Sequence, residues 1–372
     1  MKTSLRIAAA GACLSALSPS FPVMAANAAS VQLYGLIDTG MEFINHAPGG
    51  GTHAGFGSGN WYGSRWGLRG AEDLGSGLKT VFALESGFDI ATGNSLQGKR
   101  LFGRQAYVGL SDRSWGELTL GRHNTLMIDW MSKFNPYNNS SFGGKNLDPA
   151  FSDRMDNSIK YTTKLGAVTL GAYYSFGWNN EQSWDDANRG RMLGLGLQYK
   201  ADGLTAAVLY HSKRADAPKA GANSSDNRED RVLTGVSYQA ADFTFYGGYR
   251  WLDQHLTTRS YISHLFWAGL TYRPAGNTRL SAVVYHQRGT TCDNMNLVSC
   301  PSVQQAGRDQ RPSLITLGAE YDLSKRTSLY GLASYAINNH GSSVSVRGGK
   351  FGANIEPGRN QLGGAVGIVH RF

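Results

Sequence analysis

Basic side chains recur on alternate positions in the first third of the chain. In Ser64-Arg-Trp-Gly-Leu-Arg69 the two arginines flank Trp66 and Leu68. Side chains of a β-strand alternate faces at period two, so Arg65, Gly67 and Arg69 share one face and the apolar pair takes the other. In Lys79-Thr-Val-Phe-Ala-Leu-Glu85 the same rule puts Phe82 and Leu84 on one face and Lys79, Val81, Ala83 and Glu85 on the opposite one. Arg104 and Arg154 stand at the heads of two further alternating stretches. Like charges gathered along a narrow, low-dielectric passage focus its field and favour ions of opposite sign, so the chemistry on offer is selection of anions rather than catalysis.

Enzyme motifs are absent. There is no His-Glu-x-x-His and no Gly-x-Ser-x-Gly. Gly93-Asn-Ser-Leu-Gln-Gly-Lys99 nearly spells a phosphate loop, but Arg100 replaces the required Ser or Thr and a strand, not a helix, follows. The nine histidines form no pair at metal-ligand spacing, and His46, His53 and His340 read as solvated loop residues. No cofactor, no metal and no enzymatic activity are expected. The charge of +9 comes with no nucleic-acid-binding motif, so it does not point to nucleic acid.

The elements that position these residues are strands. Hydrophobic residues make up only 41% of the 372, and beyond the first two dozen positions no run of 18 apolar residues could span a membrane as a helix. Gly is abundant at 48, as are Tyr at 18 and Phe at 15, which suits many close strands and tight turns. Lys2 and Arg6, the apolar Ile7 to Leu17 and the small-residue site Ala26-Asn27-Ala28 predict a signal peptide over 1–28 and a single barrel domain over 29–372. Val23-Met24-Ala25 is a competing cleavage site. Losing Lys2 and Arg6 leaves 34 basic against 27 acidic residues, a mature charge of +7. Cys13 leaves with the signal; Cys292 and Cys300, an even pair in an exported protein, predict a small disulfide-closed loop and lack the histidines a metal site would need.

A repeat sets the architecture. Gly196-Leu-Gln-Tyr199, Gly235-Val-Ser-Tyr238, Gly269-Leu-Thr-Tyr272 and Gly318-Ala-Glu-Tyr321 share one pattern, with Ser158-Ile-Lys-Tyr161 a variant. Each Tyr precedes a turn, and successive tyrosines lie 38, 39, 34 and 49 residues apart, the length of a β-hairpin with one short and one long connection. A ring with an apolar body and a polar tip belongs at a membrane–water boundary, where barrels carry aromatic girdles. Short connections fall near 73–77, 112–116, 165–166, 201–203, 241–242, 274–277 and 322–326. Long polar ones fall near 46–60, 90–98, 124–153, 179–189, 214–229, 253–260, 289–310 and 339–358. Seven short and eight long connections in alternation predict sixteen strands. The fold class is therefore all-β: a transmembrane antiparallel barrel with short periplasmic turns, long extracellular loops and both termini periplasmic. Closure is required because an open edge in lipid leaves unpaired backbone groups. With the apolar faces turned to lipid, Arg65, Arg69, Lys79 and Glu85 point into the lumen. Arg104 shares parity with Ala106 and Val108, yet an Arg at the lipid midplane costs roughly 2–4 kcal/mol, which favours an inward side chain. Arg154 is a further lining candidate.

Several passages resemble the general (non-specific) Gram-negative porin family: Val31-Gln-Leu-Tyr-Gly35, Ser64-Arg-Trp-Gly-Leu-Arg-Gly-Ala-Glu-Asp-Leu-Gly-Ser-Gly-Leu78, Phe102-Gly-Arg-Gln-Ala-Tyr-Val-Gly-Leu110, Leu120-Gly-Arg122, Asp156-Asn-Ser-Ile-Lys-Tyr161 and Val369-His-Arg-Phe372. The resemblance implies an outer-membrane homotrimer of sixteen-stranded channels in lipid and lipopolysaccharide. The third long loop of each would fold into its own lumen. It implies that Arg104 belongs to a basic ladder on the constriction wall. Arg122, outward by parity, matches a residue that meets a neighbouring subunit's second loop. Phe372, an aromatic at the end of the last strand, is the expected terminus for membrane insertion.

The third loop, about 124–153, contains Phe142, Gly143 and Gly144, similar to the family's constriction tip. Where a Pro-Glu commonly precedes the Phe, this chain has Ser140 and Ser141. The acid that would face the basic ladder is thus missing. Lys133 and Lys145 flank the segment, while Asp129, Asp148 and Asp153 lie nearer the loop's ends. The expected function is passive diffusion of small hydrophilic solutes and ions with a preference for anions. The alternative is a channel specific for phosphate or organic anions.

Overall fold

The computed structural model describes residues 30–47, 51–179, 186–216, 225–256, 260–289, 310–339, 341–348 and 355–372. The expected signal peptide, His340 and the Cys292–Cys300 pair lie outside the described residues. The strands are β1 (Ser30–Ile44), β2 (His53–Ser58), β3 (Arg65–Gly75), β4 (Leu78–Gly87), β5 (Gln105–Asp112), β6 (Gly116–Asn124), β7 (Arg154–Leu165), β8 (Val168–Ser175), β9 (Met192–Ala201), β10 (Leu204–Arg214), β11 (Arg228–Ala240), β12 (Phe243–His255), β13 (Ser260–Ala275), β14 (Thr278–Gly289), β15 (Ser313–Asp322), β16 (Thr327–Ile337) and β17 (Gln361–Arg371).

Each strand pairs antiparallel with its neighbour, and β1 pairs with β17 to close the sheet. β2 and β3 form one stave broken in the middle. β2 pairs with Thr39–Ile44 of β1, and β3 pairs with Ser30–Leu36. The barrel therefore has the sixteen staves counted from the connections, with the second interrupted at 59–64. That interruption was not foreseen. Its cause is the Asp38 carboxylate, which accepts hydrogen bonds from the backbone N–H groups of Trp61 (2.8 Å) and Tyr62 (2.6 Å), pulling the chain out of the wall.

Short turns match their residues. Between β9 and β10 the two-residue turn Asp202-Gly203 has φ of +49° and +80° at its centre, the left-handed pair that a tight hairpin needs. Alternation builds the outer surface: Val31, Leu33, Val108, Leu120, Leu195, Leu317 and Val366 all point outward and stand exposed. The girdle tyrosines share that face. Tyr199, Tyr238 and Tyr321 are exposed, Tyr272 stacks on Phe243 at 4.5 Å, and the Tyr161 hydroxyl donates to the Trp115 carbonyl.

The buried apolar cluster lies inside the barrel. The segment between β6 and β7 carries a short helix, α1 (Leu126–Asp129), and three single 3-10 turns. Its Leu126, Met127, Met131, Phe134, Tyr137 and Phe142 are fully buried against inward residues of β8–β16, among them Met192, Leu209, Leu233, Leu265 and Leu314. The inner wall of β8–β16 is therefore covered by the third loop, through apolar packing and through ion pairs with its buried bases. The inner face of β3–β6 is more polar and is left uncovered by the apolar core of that loop.

Candidate functional site

The third loop is seated on glycines. A Cβ added at Gly196 would stand 2.5 Å from the Trp130 ring, at Gly235 2.5 Å from the Phe134 ring, at Gly269 2.9 Å from Pro136, and at Gly318 2.8 Å from the Tyr137 hydroxyl. These are the glycines of the Gly-x-x-Tyr repeat. Each Gly lies three positions before its Tyr, an odd step, so the Tyr faces outward and the Gly faces the lumen. Without side chains at those points, the loop's rings pack directly on the wall, each burial contributing about 1.5–3 kcal/mol. Hydrogen bonds fix the register: Trp267 Nε1 donates to the Phe134 carbonyl (2.8 Å), Tyr137 Oη to the Ser281 carbonyl (2.9 Å) and Thr316 Oγ1 to the Phe142 carbonyl (2.9 Å). Phe142, Gly143 and Gly144 are held against β14 and β15; a Cβ on Gly144 would lie 2.9 Å from the Tyr285 ring.

Every acid of the loop is tied to a wall base. Asp129 pairs with Lys160 of β7, Asp153 with Lys213 of β10 (3.0 Å), and Asp148 with both Arg231 of β11 and Arg250 of β12 (2.9 Å each). Burial alone would push the Asp148 carboxyl up, but the two guanidiniums outweigh it and hold it down at about 2. Lys133 is exposed. Lys145 is half-buried, with Ser141 Oγ 3.5 Å from its Nζ. Burial, reinforced by Arg347, Arg154 and Arg104, pushes the Lys145 ammonium down to about 7.

A second segment enters the lumen, and the sequence reading missed it. Residues 341–348, between β16 and β17, dock on the third loop. Asn146 Nδ2 donates to the Val346 carbonyl (3.0 Å) and Gly348 N to the Ser141 carbonyl (2.8 Å). Arg347 of this segment pairs with Glu42 (2.6 Å). The broken stave adds a third intrusion. Trp61 is 1% exposed, and Ser140 Oγ donates to the Asn60 carbonyl (2.8 Å).

On the uncovered wall, Arg65 and Arg69 of β3 are in register with Leu36 and Gln32 of β1, and Glu85 of β4 with Gly67. Glu85 is the hub: Arg104 Nε lies 2.5 Å and Arg65 Nε 3.6 Å from its oxygens, and Tyr34 Oη donates to it (3.0 Å). Ala106 and Val108 face outward, whereas Arg104 stands one residue before β5 begins. Strand alternation does not govern its side chain, which turns to Glu85. Arg69 donates twice to Gln32 Oε1 (3.0 and 2.9 Å). Lys79 is opposite Ser111 of β5, nearer the short turns and exposed. Arg154 opens β7 beside Arg104 and Arg122; among the described residues it makes no ion pair, and its Nε has no hydrogen-bond partner. Toward the short-turn end, Glu320 accepts Arg279, Arg371 (3.4 Å) and the Tyr62 hydroxyl (3.1 Å).

Arg122 faces outward by register, as the partner of Ala106. Its guanidinium pairs with Asp156 and donates to the Gly103 carbonyl (2.8 Å), and Arg100 of the same second loop shares Asp156 at 2.9 Å. The residue is thus engaged by its own second loop. Phe372 completes the closing ladder: its N–H and C=O both bond Gly35 at 3.0 Å. His53, read as solvated, lies 3.3 Å from Glu42, and His46 Nδ1 lies 2.8 Å from the Asn360 carbonyl. Lys160, Lys213, Arg231, Arg250, Arg279, Arg347 and Arg371 were not singled out from the sequence. Parity could have found the strand residues among them, since Ser158, Lys160 and Thr162 alternate with Ile159 and Tyr161.

A closed sixteen-stave barrel with an apolar exterior and a charged interior narrowed by its own loops defines a pore of the bacterial outer membrane. The family model of the Gram-negative porin matches residues 7–341, and the chain belongs to that family. An outer membrane porin protein of Bordetella pertussis is 30% identical, over 96% of this chain and 98% of the relative. Outer membrane porin protein 32 of Delftia acidovorans is 28% identical over the same shares. Among solved structures, the anion-selective porin from Comamonas acidovorans superposes with a TM-score of 0.77 at 24% identity, covering 93% of this chain and all of the other. The trimer form of OmpT from Vibrio cholerae superposes at 0.67 with 16% identity, covering 93% of this chain and all of the other. The protein is an outer-membrane porin.

Proposed function

We propose that this porin passes small hydrophilic solutes and ions by diffusion, prefers anions, and works as a homotrimer. The observation that carries the preference is a charge imbalance on the uncovered side of the lumen. Each acid of the third loop is already bonded to a wall base. Glu85 is shared by Arg65 and Arg104, while Arg154 and Lys145 make no ion pair among the described residues. The passage between wall and loop is bounded by Arg65, Arg69, Lys79, Glu85, Arg104 and Arg154 on one side and by Lys145 on the other. Excess guanidinium in a confined aqueous path raises the local concentration of anions. The anion-selective character of the Comamonas acidovorans porin supports the reading, and the trimer form of the Vibrio cholerae protein supports the assembly.

The test is the zero-current potential of the purified protein in a planar bilayer under a KCl gradient. A potential of the sign set by chloride is expected, and one set by potassium overturns the preference. Saturable block of conductance by inorganic phosphate or one organic anion would favour the substrate-specific alternative, for which the unpaired Arg154 is the supporting feature.

A further inference from the structure

The outer face of β8–β11 carries a second basic cluster, separated from the lumen by the barrel wall. Below it the surface is apolar: Leu195, Val208, Val232 and Val236 all stand exposed. From the girdle residue Tyr238 to Arg228 on β11 is ten residues. That is about 34 Å of strand, or about 24–28 Å of height at the usual tilt, close to the roughly 25 Å of a barrel's apolar band. The long-loop end of this face, where the apolar band stops, holds a pocket of about 350 Å³. Arg191, Arg214 and Arg228 line it, together with Tyr174, Tyr210 and Asp230.

The charges there do not cancel. Among the described residues Asp230 is the one carboxylate lining the pocket, and it is occupied by Arg228 Nε (2.9 Å) and by the Tyr210 hydroxyl (2.8 Å). Arg191 lies over the rings of Phe176 (5.4 Å) and Tyr174 (5.9 Å), with Nη1 donating to the Phe176 carbonyl (3.2 Å). Arg214 makes no ion pair among the described residues. Among the described residues the pocket thus presents three guanidiniums against one engaged carboxylate, and aromatic stacking pre-orients one of them.

We propose that this pocket binds the phosphate group of an outer-leaflet lipopolysaccharide molecule, with its acyl chains lying on the apolar strip below. A phosphate monoester carries about −1.5 to −2 charges, matching the excess on the protein. Planar guanidiniums meet phosphate oxygens through paired hydrogen bonds. The position selects a lipid over a soluble anion, because the pocket opens sideways at the height where the headgroups of the outer leaflet lie. Arginines at such a boundary extend their heads to the interface while their stems cover apolar surface.

Native mass spectrometry of the purified protein in detergent tests this, using phosphorylated lipid A and its dephosphorylated form as probes. The variant is the double change Arg191→Gln and Arg214→Gln, which spares the Arg228–Asp230 pair. Folding is checked by heat-resistant migration and by single-channel conductance, both expected unchanged. Occupancy by phosphorylated lipid A should fall about tenfold or more in the variant. The dephosphorylated lipid should bind the wild type no better than it binds the variant. Equal retention of phosphorylated lipid A by wild type and variant overturns the site. So does displacement of lipid A by phosphatidylglycerol at equal concentration, or by millimolar inorganic phosphate, since either assigns the pocket to another anion. Loss of the oligomer in the variant overturns it as well, because the cluster is then a subunit contact.

Discussion

Arg104 closes on Glu85, Nε to Oε1 at 2.5 Å, from a position one residue outside the strand that would have turned it to lipid. The same carboxylate holds Arg65 and the Tyr34 hydroxyl, so one acid organises two guanidiniums along the uncovered wall. Changing Arg104→Glu places a second carboxylate beside Glu85 and removes one base. At about 1 kcal/mol per unit charge at contact distance in water, the chloride-to-potassium permeability ratio should drop at least roughly fivefold. Zero-current potentials in a KCl gradient measure it. Indifference to the change would mean that Arg104 does not border the conducting path.

The proposed preference should depend on pH through Lys145. Burial, with Arg347, Arg154 and Arg104 nearby, brings its ammonium down to about 7. Below that value the group is charged and adds to the basic excess; above it the charge is lost. Anion preference should therefore be stronger at pH 6 than at pH 8.5. Lys145→Gln should flatten the profile at the level of the wild type at high pH. Selectivity recorded across that range, with no step in the wild type, would place the titration elsewhere.

Gly235 sets how closely the third loop approaches the wall. An alanine there would put its methyl carbon 2.5 Å from the Phe134 ring, an overpacking of the kind that costs about 1–3 kcal/mol. The loop should be displaced toward the open side, and single-channel conductance should fall. Gly247→Ala is the control, because that position faces outward and its nearest neighbour would be 3.5 Å away. Equal conductance in both variants would show that the loop yields without narrowing the passage.

Asp148→Asn removes the counter-ion shared by Arg231 and Arg250; Arg231 keeps Glu229 (2.8 Å), whereas the buried Arg250 is left with no ion pair among the described residues. Stranding buried charges costs about 3–5 kcal/mol. The loop should loosen, seen as noisier open-channel current and faster proteolysis between 125 and 153. The acid's value of about 2 lies below the ordinary value of about 3.9. Its contribution is therefore complete above about pH 4 and lost as pH falls toward 2. In the wild type the same noise should appear only over that acid range.

Much of the barrel was legible because alternation and turn residues are local signals. The sixteen staves follow from the turn residues, and the outward tyrosines from period two. What alternation could not reveal lies where the chain leaves the sheet. Trp61 and Tyr62 are drawn inward by Asp38, a partner 23 and 24 positions away. Residues 341–348 dock on a loop 200 positions earlier. The repeat's glycines were visible, but their role was not, because the rings they accommodate belong to a different segment. Arg104 was ambiguous by parity for a simple reason: it is not a strand residue.

The glycine row also has a consequence in time. Trp130, Phe134 and Tyr137 are made before the glycines that seat them, since Gly196, Gly235, Gly269 and Gly318 all follow them in the chain. Contacts across such separations form late, because the connecting chain must first be ordered. The seat is complete only once β15, which carries Gly318, has joined the wall, so a barrel caught before the loop settles should be wider than a mature one. During refolding into detergent, heat-resistant migration should appear before Trp130 becomes shielded from iodide quenching, in a variant whose other tryptophans are replaced by Phe. Narrowness in this porin should then be something the molecule acquires by maturation.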